Sequence, residues 1–317
     1  MHSCGTILRF GLFALFAGHV FLLSGFAQSP ACPSSQGARN LQKPETRVLV
    51  DQVEFHGDNP LTEPQRADLA KKIQAQDFVL TPEEAQDSWA IEATEVFVRG
   101  TLQDLGYLKV LPQGTPFLIR ATEHELHYAL RIEMESGPQY RLGKVRFVST
   151  QDAPLAFADS LLRSQLELKT GDLFSASKVR LAMENMARLY TSKGYIDMVP
   201  EPQTDFSEDD SRIDLTFRMD EGQLYRISSI DLFGGDATSR QLILPQSRGE
   251  PIDPNLWRKF FEANQPRFPA SAEFDWSVRF TRNPPESAVG VVVDFQACPE
   301  PRLAPEYLPT LATRTPN

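Results

Sequence analysis

One eleven-residue segment occurs twice in the chain, and this repeat constrains the fold more than any other feature. Residues 137–147 read GPQYRLGKVRF and residues 222–232 read GQLYRISSIDL, 85 positions apart (222 − 137). Both follow the pattern Gly-x-x-Tyr-Arg-apolar-x-x-apolar-x-apolar, and residues 50–57 carry a weaker copy, VDQVEFHG. An internal period of this length indicates consecutive units that share one supersecondary structure.

A Gly-Tyr pair recurs at a similar spacing, at Gly106-Tyr107 and Gly194-Tyr195. Each pair closes a stretch whose apolar residues recur at helical spacing, which predicts a helix over 89–105 and a second before residue 194. The glycine stands where a helix commonly ends in a left-handed residue. The apolar face of the second helix comprises Val179, Ala182, Met183, Met186, Leu189 and Tyr190.

Alternating apolar and polar residues predict strands on either side of these helices. The opening strands are expected at 140–148 and 225–233, and residues 128–134 and 213–219 alternate just before the next unit begins. Shorter first helices are expected at 62–74 and 155–166. Each unit is therefore predicted to run strand, helix, helix, strand, strand.

The third copy departs from this plan. Its second helix is expected at 255–264, but no Gly-Tyr pair follows, and NQPRFP stands at 264–269 instead. Two strands are then predicted at 273–282 and 288–297, joined by a turn at 283–285. The last residues, 299–317, hold five prolines without periodicity, a composition typical of a disordered tail.

The first 27 residues resemble an export signal. Arg9 precedes an 18-residue apolar run, 10–27, whose final Gly-Phe-Ala suits cleavage after Ala27. The alternative is an uncleaved membrane anchor, for which the run is short. Residues 28–45 are interpreted as a linker.

Net charge and cysteine content restrict which partners and which compartment are expected. The formal net charge is −10 and becomes −11 without Arg9, so nucleic acid and anionic lipid headgroups are disfavoured as partners. After cleavage two cysteines remain, Cys32 and Cys298, which either form a disulfide in an oxidising compartment or are two unrelated thiols.

No residue pattern indicates catalysis, and we predict neither a cofactor nor a metal. The nucleophile-elbow and phosphate-loop motifs are absent from the sequence. His124 and His127 lie on the strand predicted around Tyr128, where residues three apart point to opposite faces. These two histidines are therefore not expected to hold one metal ion together.

The order of elements, with Gly-Tyr after the second helix and Glu-Gly before the next unit, resembles the POTRA domain of the outer-membrane β-barrel assembly family. The loop sequence KTGDLF at 169–174 supports the resemblance, and GEPI at 249–252 is a weaker match to the same loop. The resemblance implies an α+β fold of tandem units, each a three-stranded mixed sheet covered by two helices. Units are expected at residues 46–137, 138–222 and, in divergent form, 223–298.

The resemblance also implies a function, that of a periplasmic protein-binding scaffold for outer-membrane assembly proteins or unfolded barrel clients. Only 20 residues follow Ala297 (317 − 297), too few for even the smallest barrel, so these units are expected without one. In such modules the second strand of the unit is an exposed edge that can pair with a partner strand. The edge residues are expected to be Leu108, Lys109 and Val110 in the first unit, and Ile196, Asp197, Met198 and Val199 in the second.

Two prolines, Pro112 and Pro200, are expected to end these edge strands, because proline lacks an N–H donor. The alternative function is a membrane-anchored envelope or cell-division scaffold whose POTRA units lie outside the cytoplasm. It would apply if the apolar run at 10–27 is not removed.

Overall fold

A computed structural model describes residues 46–80, 87–151, 153–207, 209, 211–234, 243–270 and 272–295. The predicted signal, linker and tail lie outside these residues, as do Cys32 and Cys298. No helix within the described ranges is long and apolar enough to cross a membrane.

The first repeat forms a mixed four-stranded sheet in the order β2-β1-β4-β3. Its strands are β1 (Thr46–Asp58), β2 (Phe78–Leu80), β3 (Leu111–Ala121) and β4 (Glu125–Glu135). β1 and β4 are parallel, and the other neighbours are antiparallel. The short strand β2, which pairs with Thr46–Val48, was not predicted, because three residues give almost no periodic signal.

Both helices predicted for the first repeat are confirmed. Helix α1 (Glu63–Gln74) begins after Thr62, whose side chain forms a capping box with Gln65. The second helical run consists of α2 (Ser88–Glu92), a π-helical stretch (Ala93–Arg99) and α3 (Gly100–Asp104). The π-helical stretch was not predicted.

The second repeat has a three-stranded sheet in the order β5-β7-β6. The strands are β5 (Arg141–Ser149), β6 (Val199–Ser207) and β7 (Arg212–Asp220), and the helices are α4 (Asp159–Arg163) and α5 (Ala176–Thr191). The predicted apolar face of α5 is confirmed, since Val179, Ala182, Met186 and Tyr190 are buried. Helix α4 is much shorter than the predicted 155–166.

The third repeat forms a sheet in the order β8-β10-β9. Its elements are β8 (Arg226–Phe233), α6 (Pro254–Asn264), α7 (Phe274–Ser277), β9 (Val278–Asn283) and β10 (Ala288–Asp294). The strand predicted at 273–282 is wrong in its first half. Phe274 and Ser277, three residues apart, lie on one side of a helical turn there, and Ser277 is buried.

The three sheets share one topology in which the last strand of the repeat lies next to the first and parallel to it. The strand that comes just before the last one in each repeat, β3, β6 or β9, pairs only with that last strand in the part of the chain that is described. These three are called the second strands, since β2 is an addition found in the first repeat. Each repeat also has its own cluster of buried apolar residues. The α+β fold of tandem units is therefore confirmed, with a fourth strand in the first sheet.

Candidate partner-binding edges

The residues expected to form exposed edges lie almost entirely in turns before the edge strands. Leu108–Val110 precede β3, and Ile196–Met198 precede β6, so only Val199 of the predicted set is in a strand. In each case a turn follows the Gly-Tyr pair: Val110 N–H donates to the Tyr107 carbonyl and Met198 N–H to the Tyr195 carbonyl, both at 3.4 Å. The predicted positions of these edges are therefore wrong by about three residues.

These turns instead contact the following unit. In the first, Leu108 packs against the apolar cluster of the second repeat. The ammonium group of Lys109 lies 5.0 Å from the ring centroid of Phe206 and 5.9 Å from that of Tyr140, both in the second repeat. A cation above an aromatic face is attracted by the ring quadrupole. Leu108 and Lys109 therefore join two units and are not a free edge.

The second turn makes the equivalent contacts with different chemistry. Ile196 packs against the apolar cluster of the third repeat, and Asp197 Oδ1 lies 2.8 Å from Arg282 Nε. The Tyr225 hydroxyl donates to the Asp197 carboxylate, and this hydrogen bond, with burial of the phenol, raises the pKa of Tyr225. Asp197 thus links the second repeat to two residues of the third.

Glycine is required at both joints because the next unit approaches its backbone closely. Gly106 and Gly194 have φ of +90° and +93°, which confirms the predicted left-handed conformation. Their carbonyls accept from the N–H groups of Tyr140 and Tyr225 at 2.8 and 2.9 Å. A Cβ at Gly106 would lie 2.7 Å from the backbone carbonyl oxygen of Tyr140, and a Cβ at Gly194 would lie 2.8 Å from that of Tyr225.

Asp104 adds a further contact at the first joint. Its Oδ1 accepts from the Ser177 N–H at 2.7 Å and from the Ser175 hydroxyl at 3.1 Å. Ser175 caps α5, so a carboxylate from one unit lies at the N-terminus of the long helix of the next. A negative charge there is stabilised by the helix dipole and by the unsatisfied N–H groups.

The edges that could accept a partner are β3, β6 and β9 themselves. The direction of their backbone groups follows from three equivalent hydrogen bonds, in which Arg47, Arg141 and Arg226 donate N–H to the carbonyls of His124, Ser211 and Ser287. The last strand of each repeat (β4, β7 or β10) lies between the first strand and the edge strand. In a parallel ladder, this bond sets which alternate residues of that middle strand direct their N–H and C=O groups towards the first strand. They are the residues whose side chains point into the core, such as Met219 in β7.

A residue of the edge strand opposite such a core-facing residue must direct its own N–H and C=O outward. In β3 and β6 four prolines occupy outward positions. Pro112 and Pro116 lie opposite Met134 and Leu130, and Pro200 and Pro202 lie opposite Met219 and Phe217. The two prolines predicted to end the strands therefore lie within them, and each edge lacks two outward donors.

The edge strand β3 has two further features. Its register shifts between Leu118 and Arg120, a bulge of the kind that twists an edge away from added strands. Beyond the second proline, Phe117, Leu118 and Ile119 are exposed. β3 thus combines an apolar surface with an interrupted backbone edge.

His127 lies in a polar cluster beside this bulge. The Arg120 guanidinium donates to His127 Nε2 at 2.8 Å, so the opposite nitrogen, Nδ1, is the one that donates to Asp51, at 3.0 Å. His124 precedes β4 and takes no part in this cluster. Within the described residues, no three His, Cys, Asp or Glu side chains are arranged to hold a metal ion.

A cleft of about 670 Å³ lies where β1 and β4 end and β3 begins. Asp58, Glu133 and Glu135 line it with His56 and Leu111. Three carboxylates in one cleft disfavour anionic ligands.

Comparison with known proteins identifies the repeat. Residues 140–222 match the family model of POTRA, described as surface antigen variable number repeat. No curated protein matches the chain in sequence.

Two solved structures cover most of the described chain. POTRA units 3–5 of BamA from Haemophilus influenzae align with a TM-score of 0.55 and 16% identity, over 79% of this chain and 96% of that one. POTRA units 1–3 of the periplasmic domain of Omp85 from Anabaena align with a TM-score of 0.33 and 15% identity, over 79% of this chain and 95% of that one. The alignment with BamA shows a similarity of fold. Residues 140–222 therefore match the POTRA family, and the aligned 79% of the chain shares the fold of three tandem POTRA units.

Proposed function

We propose that this chain is a periplasmic protein-binding scaffold that takes part in outer-membrane protein assembly or transport. The observation that carries the proposal is the fold of three consecutive POTRA-like units, shared with units 3–5 of BamA. The export signal predicted at residues 1–27 supports the proposal. The units are proposed to span residues 46–137, 138–222 and 223–298.

The proposed mode of binding is β-augmentation, in which an extended segment of the partner adds to an exposed sheet edge. Each of the three sheets has its second strand at an edge in the described structure. Main-chain hydrogen bonds supply affinity with little demand on sequence, which suits a scaffold for many clients. The proposed partners are outer-membrane assembly proteins or unfolded barrel-forming chains.

The first strand of each repeat, β1, β5 or β8, has part of its outer edge already paired. β2 covers the start of β1, and the start of β5 and of β8 is bridged by Leu173 and Pro251, respectively. The segment that precedes α2, α5 or α6 therefore pairs with the same end of the first strand in each repeat. This contact favours the second strands as the binding edges.

A second candidate function is a membrane-anchored envelope or cell-division scaffold, which the apolar run at 10–27 favours if it is retained. Mass spectrometry of the N-terminus in the native host distinguishes the two. A chain that begins at Gln28 supports the periplasmic form, and an intact Met1 supports the anchor.

Capture from envelope extracts tests the proposed function. The mature chain, beginning at Gln28, is immobilised and the captured proteins are identified by mass spectrometry. Enrichment of outer-membrane assembly components or barrel proteins over a denatured bait is expected. A captured set without them would contradict the proposal.

A further inference from the structure

We infer that β9, the edge of the third repeat, is the principal docking edge, and that it takes an extended segment in which apolar and acidic residues alternate. This inference rests on the proposed β-augmentation and specifies its site and its ligand. It differs from the expectation from sequence, which placed the binding edges in the first two units.

The first argument is the continuity of the backbone edge. The Arg226 N–H donates to the Ser287 carbonyl, and the Phe295 N–H donates to the Phe233 carbonyl at 3.1 Å. Both bonds join β10 or its flanking residues to β8, so the odd-numbered residues of β10 direct their backbone N–H and C=O groups towards β8. The outward residues of β9 are those opposite them, namely Val278, Phe280 and Arg282.

None of these three outward residues is a proline. The Val278 N–H donates to the Phe274 carbonyl at the end of α7, and Phe280 and Arg282 direct their N–H groups outward. In β3 and β6, by contrast, outward prolines interrupt the donors at two positions each, and β3 is also bulged. An added strand forms hydrogen bonds at every second residue of the edge. Of the three second-strand edges, β9 is therefore the one whose outward positions hold no proline, and a partner strand meets the donors of Phe280 and Arg282 in succession.

The second argument concerns the side chains that border this edge. β9 carries Arg279 and Arg282 and no carboxylate, within a chain of net charge −10. Arg279 is 60% exposed and lies 4.0 Å from Asp294, while Arg282 is half exposed and pairs with Asp197. Opposite charges on neighbouring strands stabilise their pairing. Arg279 lies on the opposite face of β9 from Phe280 and Arg282, so acidic residues are favoured on the face of the partner strand that lies beside Arg279.

Apolar residues in the partner are favoured on the same edge by Phe280. This ring is half-buried, and its centroid lies 6.4 Å from that of Phe274. Cross-strand pairs between an aromatic ring and a β-branched residue contribute roughly 0.2–1 kcal/mol each. Because side chains alternate between the faces of a strand, a partner with valine at every second position presents one valine beside Phe280.

The direct test uses a peptide and two variants that differ by one donor. The probe is acetyl-Glu-Val-Thr-Val-Glu-Val-amide carrying a fluorophore, and binding to the mature chain is followed by anisotropy. Arg282→Ala and Arg282→Pro both remove the ion pair with Asp197, but only the second removes the outward N–H. We expect Arg282→Pro to bind about three- to tenfold more weakly than Arg282→Ala, the loss of about one hydrogen bond.

A measurement on the unmodified chain covers the case in which Arg282→Pro fails to fold. Outward amides exchange rapidly with solvent, so bound peptide should slow exchange at Phe280 and Arg282 several-fold. The amide of Thr281 faces β10 in the ladder and should change little. Protection at β3 or β6 without protection at β9 overturns the inference.

Two controls separate the site from the function. Pro200→Thr with Pro202→Thr restores the outward donors of β6 and should add a second peptide site. The same probe with lysine in place of glutamate should bind more weakly than the acidic one. Equal binding by Arg282→Pro and Arg282→Ala rejects β9 as the edge, even if envelope capture still supports the proposed function.

Discussion

Replacement of Gly194 by alanine tests whether the joint between the second and third units depends on close backbone approach. The new Cβ would lie 2.8 Å from the backbone carbonyl oxygen of Tyr225 and 3.1 Å from Pro251 Cβ. Such contacts are shorter than packed atoms tolerate, so the joint must shift. The hydrogen bond from Tyr225 N–H to the Gly194 carbonyl, 2.9 Å long, is then expected to weaken or break.

The magnitude has two parts that a matched control separates. A left-handed conformation costs a non-glycine residue about 1–2 kcal/mol, and the lost hydrogen bond costs about 1 kcal/mol more. Gly171 has a similar φ of +92°, but a Cβ there meets nothing within 4 Å. Gly171→Ala should therefore lose about 1–2 kcal/mol and Gly194→Ala about 2–3 kcal/mol.

Urea unfolding of the mature chain, followed by far-ultraviolet circular dichroism, measures both losses. Amide exchange at Tyr225 supplies an independent measure of the joint, because that N–H is released only if the contact opens. If Gly194→Ala is no more destabilising than Gly171→Ala, and Tyr225 exchange is unchanged, the close-approach argument is refuted.

Three other outcomes are expected. Asp197→Asn should lower the pKa of Tyr225, measured by ultraviolet titration of the phenol, because the carboxylate that accepts its hydrogen bond is removed. As this pKa is raised by folding, its contribution to stability is present below the ordinary tyrosine pKa of about 10 and is lost above it; in the variant, less stability should be lost on raising the pH above 10. Asp104→Ala should cost about 1 kcal/mol in urea unfolding by removing the acceptor for Ser177 N–H, with Glu167→Ala, at an exposed position outside the helices and strands, as control; equal effects would contradict the proposed contact. Met186→Ala, at a fully buried position in α5, should cost about 2–5 kcal/mol; a loss below 1 kcal/mol would show that the core of the second unit tolerates the cavity.

The joints suggest why the Gly-Tyr pairs recur. The sequence predicts that each pair ends a helix at its glycine. The structure confirms the helix end and adds a second role, since the same glycine carbonyl accepts from the first strand of the next unit. The third repeat, which has no Gly-Tyr pair, has a 3₁₀ turn at Gln265–Arg267 after its second helix.

Local pattern determined much of the architecture. The repeat, the helices α1, α5 and α6, and the strands β4, β7 and β10 follow from periodicity, because burial of one face requires apolar residues at fixed spacing. Tyr140 and Tyr225 begin the alternating segments at 140–148 and 225–233, and each is buried in the apolar cluster of its own unit.

Tertiary structure decided what local pattern does not record. Leu108 and Ile196 are apolar residues in short turns, and only the position of the next unit shows which core they enter. The outward direction of Pro112, Pro116, Pro200 and Pro202 depends on register with the middle strand, which sequence alternation alone leaves open. The sequence by itself thus determined the repeated unit, while inter-unit contacts and strand register decided which residues form joints and which edge has no outward proline.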